Sequence, residues 1–303
     1  MKAEKKGMAT YNSIPEFHKL LGTAPPHHPL ISVINCEDLG DYTEEIAEKA
    51  MYNFYIVILI KRFDGKIRKG QNYVDFDEGQ VSFFSPGQIL STNANALEGW
   101  ILLIHPDFLR DLPFGKTIKN YGFFSYEIYE GLFVSEKEEK LLGGVVESIA
   151  QECQVNTDQF SQKIIISMVE VLLNYADRFY NRQFITRKHI NNDLLAKLER
   201  ILTDYFDSDR VSEEGLPSVE DVAAQLFVSP HYLSDMLRSL TGMNTQQHIQ
   251  NKLIEKAKES LAATTLSVGE IAYQLGFSHP QSFNRFFKAK TDLSPLAYRR
   301  SFN

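Results

Sequence analysis

Two stretches of this 303-residue chain are written to one pattern. Val219 to Asn244 reads VEDVAAQLFVSPHYLSDMLRSLTGMN, and Val268 to Ser294 reads VGEIAYQLGFSHPQSFNRFFKAKTDLS. In register, Val219 matches Val268, Val222 Ile271, Ala223 Ala272, Gln225 Gln274, Leu226 Leu275 and Ser229 Ser278. After one inserted residue, Leu233 matches Phe283, Met236 Phe286, Leu237 Phe287, Arg238 Lys288 and Thr241 Thr291. Each copy predicts a short helix with Val222, Ala223 and Leu226, or their counterparts, turned inward. A tight turn follows, carrying Gly276 in the second copy. The next helix buries Leu233, Met236 and Leu237, or Phe283, Phe286 and Phe287. Small Ala223 and Ala272 let the paired helices approach closely, and Ser229 and Ser278 stand where a helix N-cap is expected. Helix, turn and second helix form a unit whose second helix can enter the DNA major groove.

The stretch between the copies, TQQHIQNKLIEKAKESLAA, places Ile249, Leu253, Ala257 and Leu261 on one helical stripe, with Lys252, Lys256 and Glu259 off it. About 18 helical residues span ~27 Å. Successive major-groove faces on one side of B-DNA lie ~34 Å apart. One chain can thus hold two reading helices, at about 230–241 and 279–290, roughly one turn of duplex apart.

The second-copy run IAYQLGFSHPQSFNRFFK, the later SPLAYRR and the first-copy run SPHYLSDMLRSLTG resemble the DNA-binding domain of AraC/XylS-type bacterial transcription regulators. The resemblance covers residues 192–303. It implies sequence-specific reading of double-stranded DNA, with RNA polymerase as a candidate further partner. It also implies, less specifically, a cupin-like domain over 1–183 that senses a small-molecule effector and forms a homodimer, with 184–191 (ITRKHINN from Ile185) as linker. The expected class is α+β: a cupin-like β-barrel or sandwich with following helices, then an all-α domain of two helix-turn-helix units joined by a long helix. Whether the outcome is activation or repression is open at this point.

On the second recognition helix, Gln281, Ser282, Asn284 and Arg285 face away from the phenylalanines. The resemblance assigns base reading to Gln281 and Arg285, since Arg pairs bidentately with guanine and Gln with adenine. Lys288, further along, is suited to phosphate. The outward residues of the first helix are His231, Tyr232, Ser234 and Asp235, with Arg238 one turn later. The family often has a basic residue where Asp235 stands, so the first helix is expected to bind more weakly or to depend on His231 and Tyr232. Ser229 and Ser278, at helix starts, are candidate phosphate contacts. Leu293, Pro295, Leu296 and Tyr298 are expected to pack under the second unit, with Arg299 and Arg300 near phosphate or solvent.

Charge sharpens this reading. The formal net charge is −7, yet residues 184–303 hold 14 Lys+Arg and 14 Asp+Glu, so the whole deficit lies in residues 1–183. From Arg238 onward nine basic residues face four acidic ones. A local excess of +5 is compatible with a nucleic-acid partner.

The earlier part reads as strands and turns. LISVINC and YNFYIVILI are rich in β-branched and aromatic residues, and turn signals fall at Asp64-Gly65, Lys69-Gly70, Glu78-Gly79 and Pro86-Gly87. GWILLI adds another strand, and the set suggests a small sandwich or barrel. Strand alternation is expected to turn some of Phe54, Tyr55, Tyr73, Phe76, Phe83, Phe84 and Trp100 inward, as core or as a ligand pocket. Ser135 with Glu138 forms a capping box for a helix bearing Leu141, Val145 and Ile149. The stretch 157–184 is apolar over more than one face. Ile165, Met168, Val169, Leu172, Ala176 and Phe179 form one stripe, extended by Ile164, Val171 and Tyr175. A second buried face fits a dimer, with Leu173 expected outward.

Signs of enzyme chemistry are thin. Cys36 and Cys153 fit neither a disulfide framework nor a zinc site. Adjacent His27 and His28 would point to opposite faces of a strand, a poor start for a metal site. His105 precedes Pro106 and Asp107 at an expected helix start. No catalytic residue, cofactor or metal is expected. The longest apolar run, Phe54 to Ile60, is far short of the ~20 residues of a spanning helix, and the start lacks the apolar core of a signal peptide. A cytoplasmic protein without a membrane partner is expected. The competing readings are a fold of this kind whose exposed face meets a protein, and a metal enzyme built in the barrel.

Overall fold

The computed structural model describes residues 9–39, 50–63, 67–69, 72–74, 79–90, 96–110, 112–155, 158 and 160–302. The chain divides into two compact units, Met1–Gln183 and Phe184–Asn303. The first combines sheets and helices and the second is helical, so the chain is α+β.

The first unit runs β1 (Ala9–Tyr11), α1 (Ile14–Leu20), β2 (Ile31–Asn35), β3 (Ala50–Tyr52), β4 (Tyr55–Phe63), β5 (Ile67–Lys69), β6 (Asn72–Val74), β7 (Gly79–Phe84), β8 (Gln88–Leu90) and β9 (Ala96–Ile104). Short helical turns at Pro106–Leu109, α2 (Pro113–Thr117) and Ile118–Asn120 lead on to β10 (Leu132–Val134), α3 (Glu136–Gln154) and α4 (Ser161–Thr186). Five strands form one sheet in the order β10-β7-β4-β9-β2, and β1-β3-β8 form a second. Within the larger sheet the pairing is antiparallel, with Ile58 opposite Ile101 and Val57 opposite Phe83.

Alternation decides which face each residue serves. Ile34, Ile56, Phe84, Ile101 and Leu103 cluster with Ala50, Tyr52 and Leu90 of the smaller sheet and with Ile14 and Phe17 of α1. Phe54 is wholly buried in this cluster. The opposite face carries Val57, Phe83, Trp100 and Leu102. There Phe83 meets Phe123 and Tyr180, the latter from α4. Of the expected inward aromatics, Phe54 and Phe84 belong to the core between the sheets, and Tyr55, Phe83 and Trp100 are buried outside it. Tyr73 lies in β6, and Phe76 lies outside the described residues. The turn signals Asp64-Gly65, Gly70 and Glu78 lie outside them too, whereas Gly87 takes φ +85° in the turn between β7 and β8.

Helices α3 and α4 bury faces other than those their sequence spacing predicts. Ser135 and Glu138 do form the capping box of α3, but its buried side chains are Leu142, Val146 and Ile149, and Leu141 is exposed. The stripe starts one residue later than the Leu141–Val145 spacing suggests. In α4, Leu173 faces inward and is 0% exposed, while Ile164 and Val171 are exposed. The inner face is wider than the 165/169/172/176 stripe because Ile166, Leu173 and Tyr180 are buried beside it. His105 caps the turn Pro106–Leu109, its Nδ1 accepting from Asp107 N–H at 3.2 Å.

The second unit begins with the last residues of α4. Residues 184–191, expected as a linker, are helical on either side of a break at Arg187 (φ −86°, ψ 36°). Asn191 Nδ2 donates to the Phe184 carbonyl at 2.7 Å. The unit continues with α5 (Lys188–Asp207), α6 (Arg210–Glu214), α7 (Val219–Leu226), α8 (Pro230–Thr241), α9 (Thr245–Ala263), α10 (Val268–Gln274), α11 (Pro280–Thr291) and α12 (Pro295–Arg300). Buried Leu198, Leu202 and Tyr205 of α5 belong to the core of this unit with Val222, Leu226, Ile249 and Leu253. Lys256 of α9 bonds Asp207 at 2.6 Å and Glu259 at 2.9 Å, tying α9 to the end of α5.

Candidate nucleic-acid interface

The two repeats become two helix pairs, α7–α8 and α10–α11. Ala223 and Ala272 are wholly buried where each pair closes, as are Leu233, Met236 and Leu237 in one and Phe283 and Phe287 in the other. The turns differ. In the second, Gly276 holds φ +79°, and a Cβ there would stand 2.7 Å from the Val211 carbonyl oxygen of α6. Only glycine fits both conditions. In the first, Phe227 itself takes the left-handed conformation (φ 56°).

The helix starts differ too. Ser229 caps α8, its Oγ accepting from Tyr232 N–H at 3.2 Å, and Pro230 follows at the first helical position. In the second copy the extra residue moves the cap. Pro280 takes the first helical position, so His279 is the N-cap and Ser278 lies one residue outside the helix. Ser278 is therefore not the cap that the repeat alignment suggests. It is exposed, whereas Ser229 is buried.

The outward face of α11 carries Gln281, Ser282, Asn284, Arg285 and Lys288, all exposed. Neither Arg285 nor Lys288 has an acidic partner among the described residues. The face of α8 is committed differently. His231 is exposed, but the Tyr232 ring packs edge-on against Phe184 at 5.3 Å. Ser234, expected outward, turns to the start of α9 and shares a hydrogen bond with Thr245 Oγ1 at 3.0 Å. Asp235 accepts from Arg238 Nη1 at 2.8 Å. The two helices thus present unlike faces, one cationic with no ion pair among the described residues, the other with its Arg238 paired to its own Asp235.

After α11, Pro295 is buried and Tyr298 meets Phe287 edge-on at 5.5 Å, whereas Leu293 and Leu296 are exposed rather than packed under the unit. Arg299 turns inward, its Nε donating to the Leu261 carbonyl at 3.1 Å near the end of α9. Arg300 is exposed.

Elsewhere, Cys36 is buried and Cys153 half-buried, and burial pushes each thiol up to about 11. Among the described residues no group of His, Cys, Asp and Glu is placed to hold a metal ion, and no helix is long and apolar enough to cross a membrane.

A compact helical unit with two helix-turn-helix pairs, one showing an Arg and a Lys without an acidic partner among the described residues, defines a DNA-binding helix-turn-helix domain. A family profile described as "Helix-turn-helix domain" matches residues 222–301. The chain is 32% identical over 139 residues to the uncharacterized HTH-type transcriptional regulator YfiF of Bacillus subtilis (strain 168), covering 46% of this chain and 41% of that protein. It is 28% identical over 143 residues to the HTH-type transcriptional activator RhaS of Klebsiella pneumoniae (strain 342), covering 46% of each. Thus the chain spans less than half the length of these relatives. A solved DNA-binding domain of AdpA in complex with a target DNA aligns at 27% identity over 35% of this chain and 91% of that one, with a TM-score of 0.30. The C-terminal part of this chain is a helix-turn-helix domain of the AraC family.

Proposed function

We propose that the chain is an effector-responsive transcription regulator that reads two adjacent major grooves with α8 and α11. The observation that carries this reading is the outward face of α11, where Arg285 and Lys288 stand exposed beside Gln281 and Asn284, with no ion-pair partner among the described residues. Arg285 and Gln281 have the chemistry to read base edges, and Lys288 and Ser278 to hold phosphate. On α8, His231 and Arg238 are the residues left to reach DNA, since Tyr232 and Ser234 are engaged within the unit. The 19-residue α9 spans ~28 Å, which suits two reading helices set near one turn of duplex apart.

The first unit is read as a cupin-like sensor and homodimer module. Its sheets support that role, and its net negative charge argues against a second DNA surface. RNA polymerase would be the further partner if the chain activates. The chain is read as a regulator rather than an enzyme. One relative, the transcriptional activator/DNA repair enzyme AdaA of Bacillus subtilis (strain 168), is named as bifunctional. Repair by a thiolate would need an acidified cysteine, and both cysteines here are shifted the other way.

Selection of duplexes from a random pool by the full chain, followed by titration at several salt concentrations, tests the proposal. An enriched motif with two half-sites about one turn apart, bound more weakly as salt rises, is expected. Failure to enrich any motif would return the exposed α11 face to a protein partner.

A further inference from the structure

The sensor reading leaves the effector undefined, and the first unit holds a cavity with a definite chemistry. It lies outside the core between the sheets, where the segment Pro106–Asn120 passes the start of β4. One lobe, of about 820 Å³, is lined by Tyr55, Arg110, Lys116 and Lys119 among others. An adjoining lobe of about 430 Å³ shares Tyr55 and Lys119 and is walled by Ile118, Tyr121 and Phe124. The first volume lies in the range of small-molecule sites.

Charge sorts the two lobes. Asp107 is the acidic side chain among the described lining residues, and it is already paired with Arg110. Lys116 and Lys119 have no ion-pair partner among the described residues, although the first unit as a whole is acidic. Tyr55 stands where the lobes meet. It is 6% exposed, packs edge-on to Phe124 at 5.1 Å, and its hydroxyl has no hydrogen-bond partner among the described residues. Burial pushes its phenol up from the ordinary value, so at neutral pH it keeps its proton and donates. A hydroxyl without a protein partner among the described residues, on a residue that lines both lobes, is free to meet an acceptor in the cavity.

We propose, resting on the sensor reading above, that this cavity takes a small organic carboxylate with an apolar or aromatic body. Lys116 and Lys119 meet the carboxylate, Tyr55 donates to it from the inner wall, and the body lies against Ile118, Tyr121 and Phe124. Charge-assisted donors make a carboxylate preferable to its neutral amide.

The test uses the full chain titrated calorimetrically with benzoate, phenylacetate and octanoate, each against the matching amide. At least one acid should bind roughly tenfold more tightly than its amide. The double variant K116Q/K119Q, made at two exposed positions, should remove that preference, and Y55F should weaken the acid more than the amide. The assignment is overturned if no acid binds, if acids and amides bind alike, or if K116Q/K119Q keeps the preference. Duplex binding by the same preparations without added compound reads the regulator proposal separately. A chain that binds duplex but no acid overturns the cavity assignment alone, and one that binds acid through the lysines but no duplex overturns the DNA reading alone.

Discussion

Arg238 is held by Asp235, one helical turn back on α8, through an ion pair of 2.8 Å. The corresponding residues of α11 are Lys288 and Arg285, both exposed and without an acidic partner among the described residues. One substitution between the repeats therefore separates a neutralised reading helix from a cationic one. Breaking the pair should strengthen DNA binding by releasing Arg238 and removing a negative charge near phosphate. Asp235→Asn is expected to raise duplex affinity roughly two- to fivefold, since such surface pairs are weak. Fluorescence anisotropy with the selected duplex measures it, and an unchanged or lower affinity would remove Arg238 from the interface.

Arg285 and Lys288 should fail differently. Arg285→Ala is expected to cost ~1–3 kcal/mol of binding and to relax preference at one base pair. Lys288→Ala should weaken all duplexes about equally and reduce the salt slope by about one. Competition with single-base variants of the site distinguishes the two outcomes. Identical effects from both substitutions would contradict the division into base and phosphate contacts.

The repeat is legible in sequence because its constraints are local. Alanines at 223 and 272, apolar positions three and four apart, and the stripe of α9 each follow from helix geometry alone. What escaped depends on a neighbour. Ser278 looks like a cap until Pro280 fixes where α11 starts. Ser234 looks outward until Thr245 at the start of α9 is placed beside it. Leu173 looks outward because nothing in its own helix shows that the inner face is broad enough to include it. The helix α5 carries a readable signal in Leu194, Leu198, Leu202 and Tyr205, spaced at three and four. The cavity at Tyr55 had none, because its walls come from segments 55, 85–86 and 106–125, joined only by the fold.

Gly276 and Gly242 offer a controlled comparison. Both have positive φ, at +79° and +77°, so alanine at either incurs a left-handed backbone cost of ~1–2 kcal/mol. An added Cβ at Gly242 meets nothing within 4 Å, but at Gly276 it would sit 2.7 Å from Val211 O. Gly276→Ala should therefore lower the Tm of the helical unit clearly more than Gly242→Ala. Equal losses would mean that α6 yields freely.

Stability should depend on pH through His18. Its Nε2 lies 2.9 Å from Ser32 Oγ and its Nδ1 2.7 Å from the Ala24 carbonyl, and burial lowers its pKa below 6.5. A depressed folded-state pKa means that the unfolded chain takes up the proton first. The contribution is thus present above about 6.5 and is lost as pH falls below it. Thermal melts followed by the buried lone Trp100 should show Tm falling from pH 7.5 to 5.5, and His18→Gln should flatten that slope. A His18→Gln variant with an unchanged slope would shift the effect to another group.

The exposed side of α4 is suited to self-association. Helix α4 keeps an apolar seam uncovered, with Phe160 just before it 58% exposed, Ile164 41% and Val171 44%. Their spacing of four and seven puts them on one side of the helix, away from buried Ile165, Val169, Leu172 and Leu173. An apolar side of this kind suits a second copy of the same seam, packed about a twofold axis. Because Leu173 belongs to the inner core, a charge there should unfold the first unit rather than separate protomers. The informative change is the pair Ile164→Lys and Val171→Lys, which sets like charges along the seam and leaves the inner face intact. Light scattering at micromolar concentration should show a dimer for the parent chain and a monomer for this variant, with circular dichroism unchanged. A monomeric parent, or a variant that stays dimeric, would exclude α4 as the dimer contact.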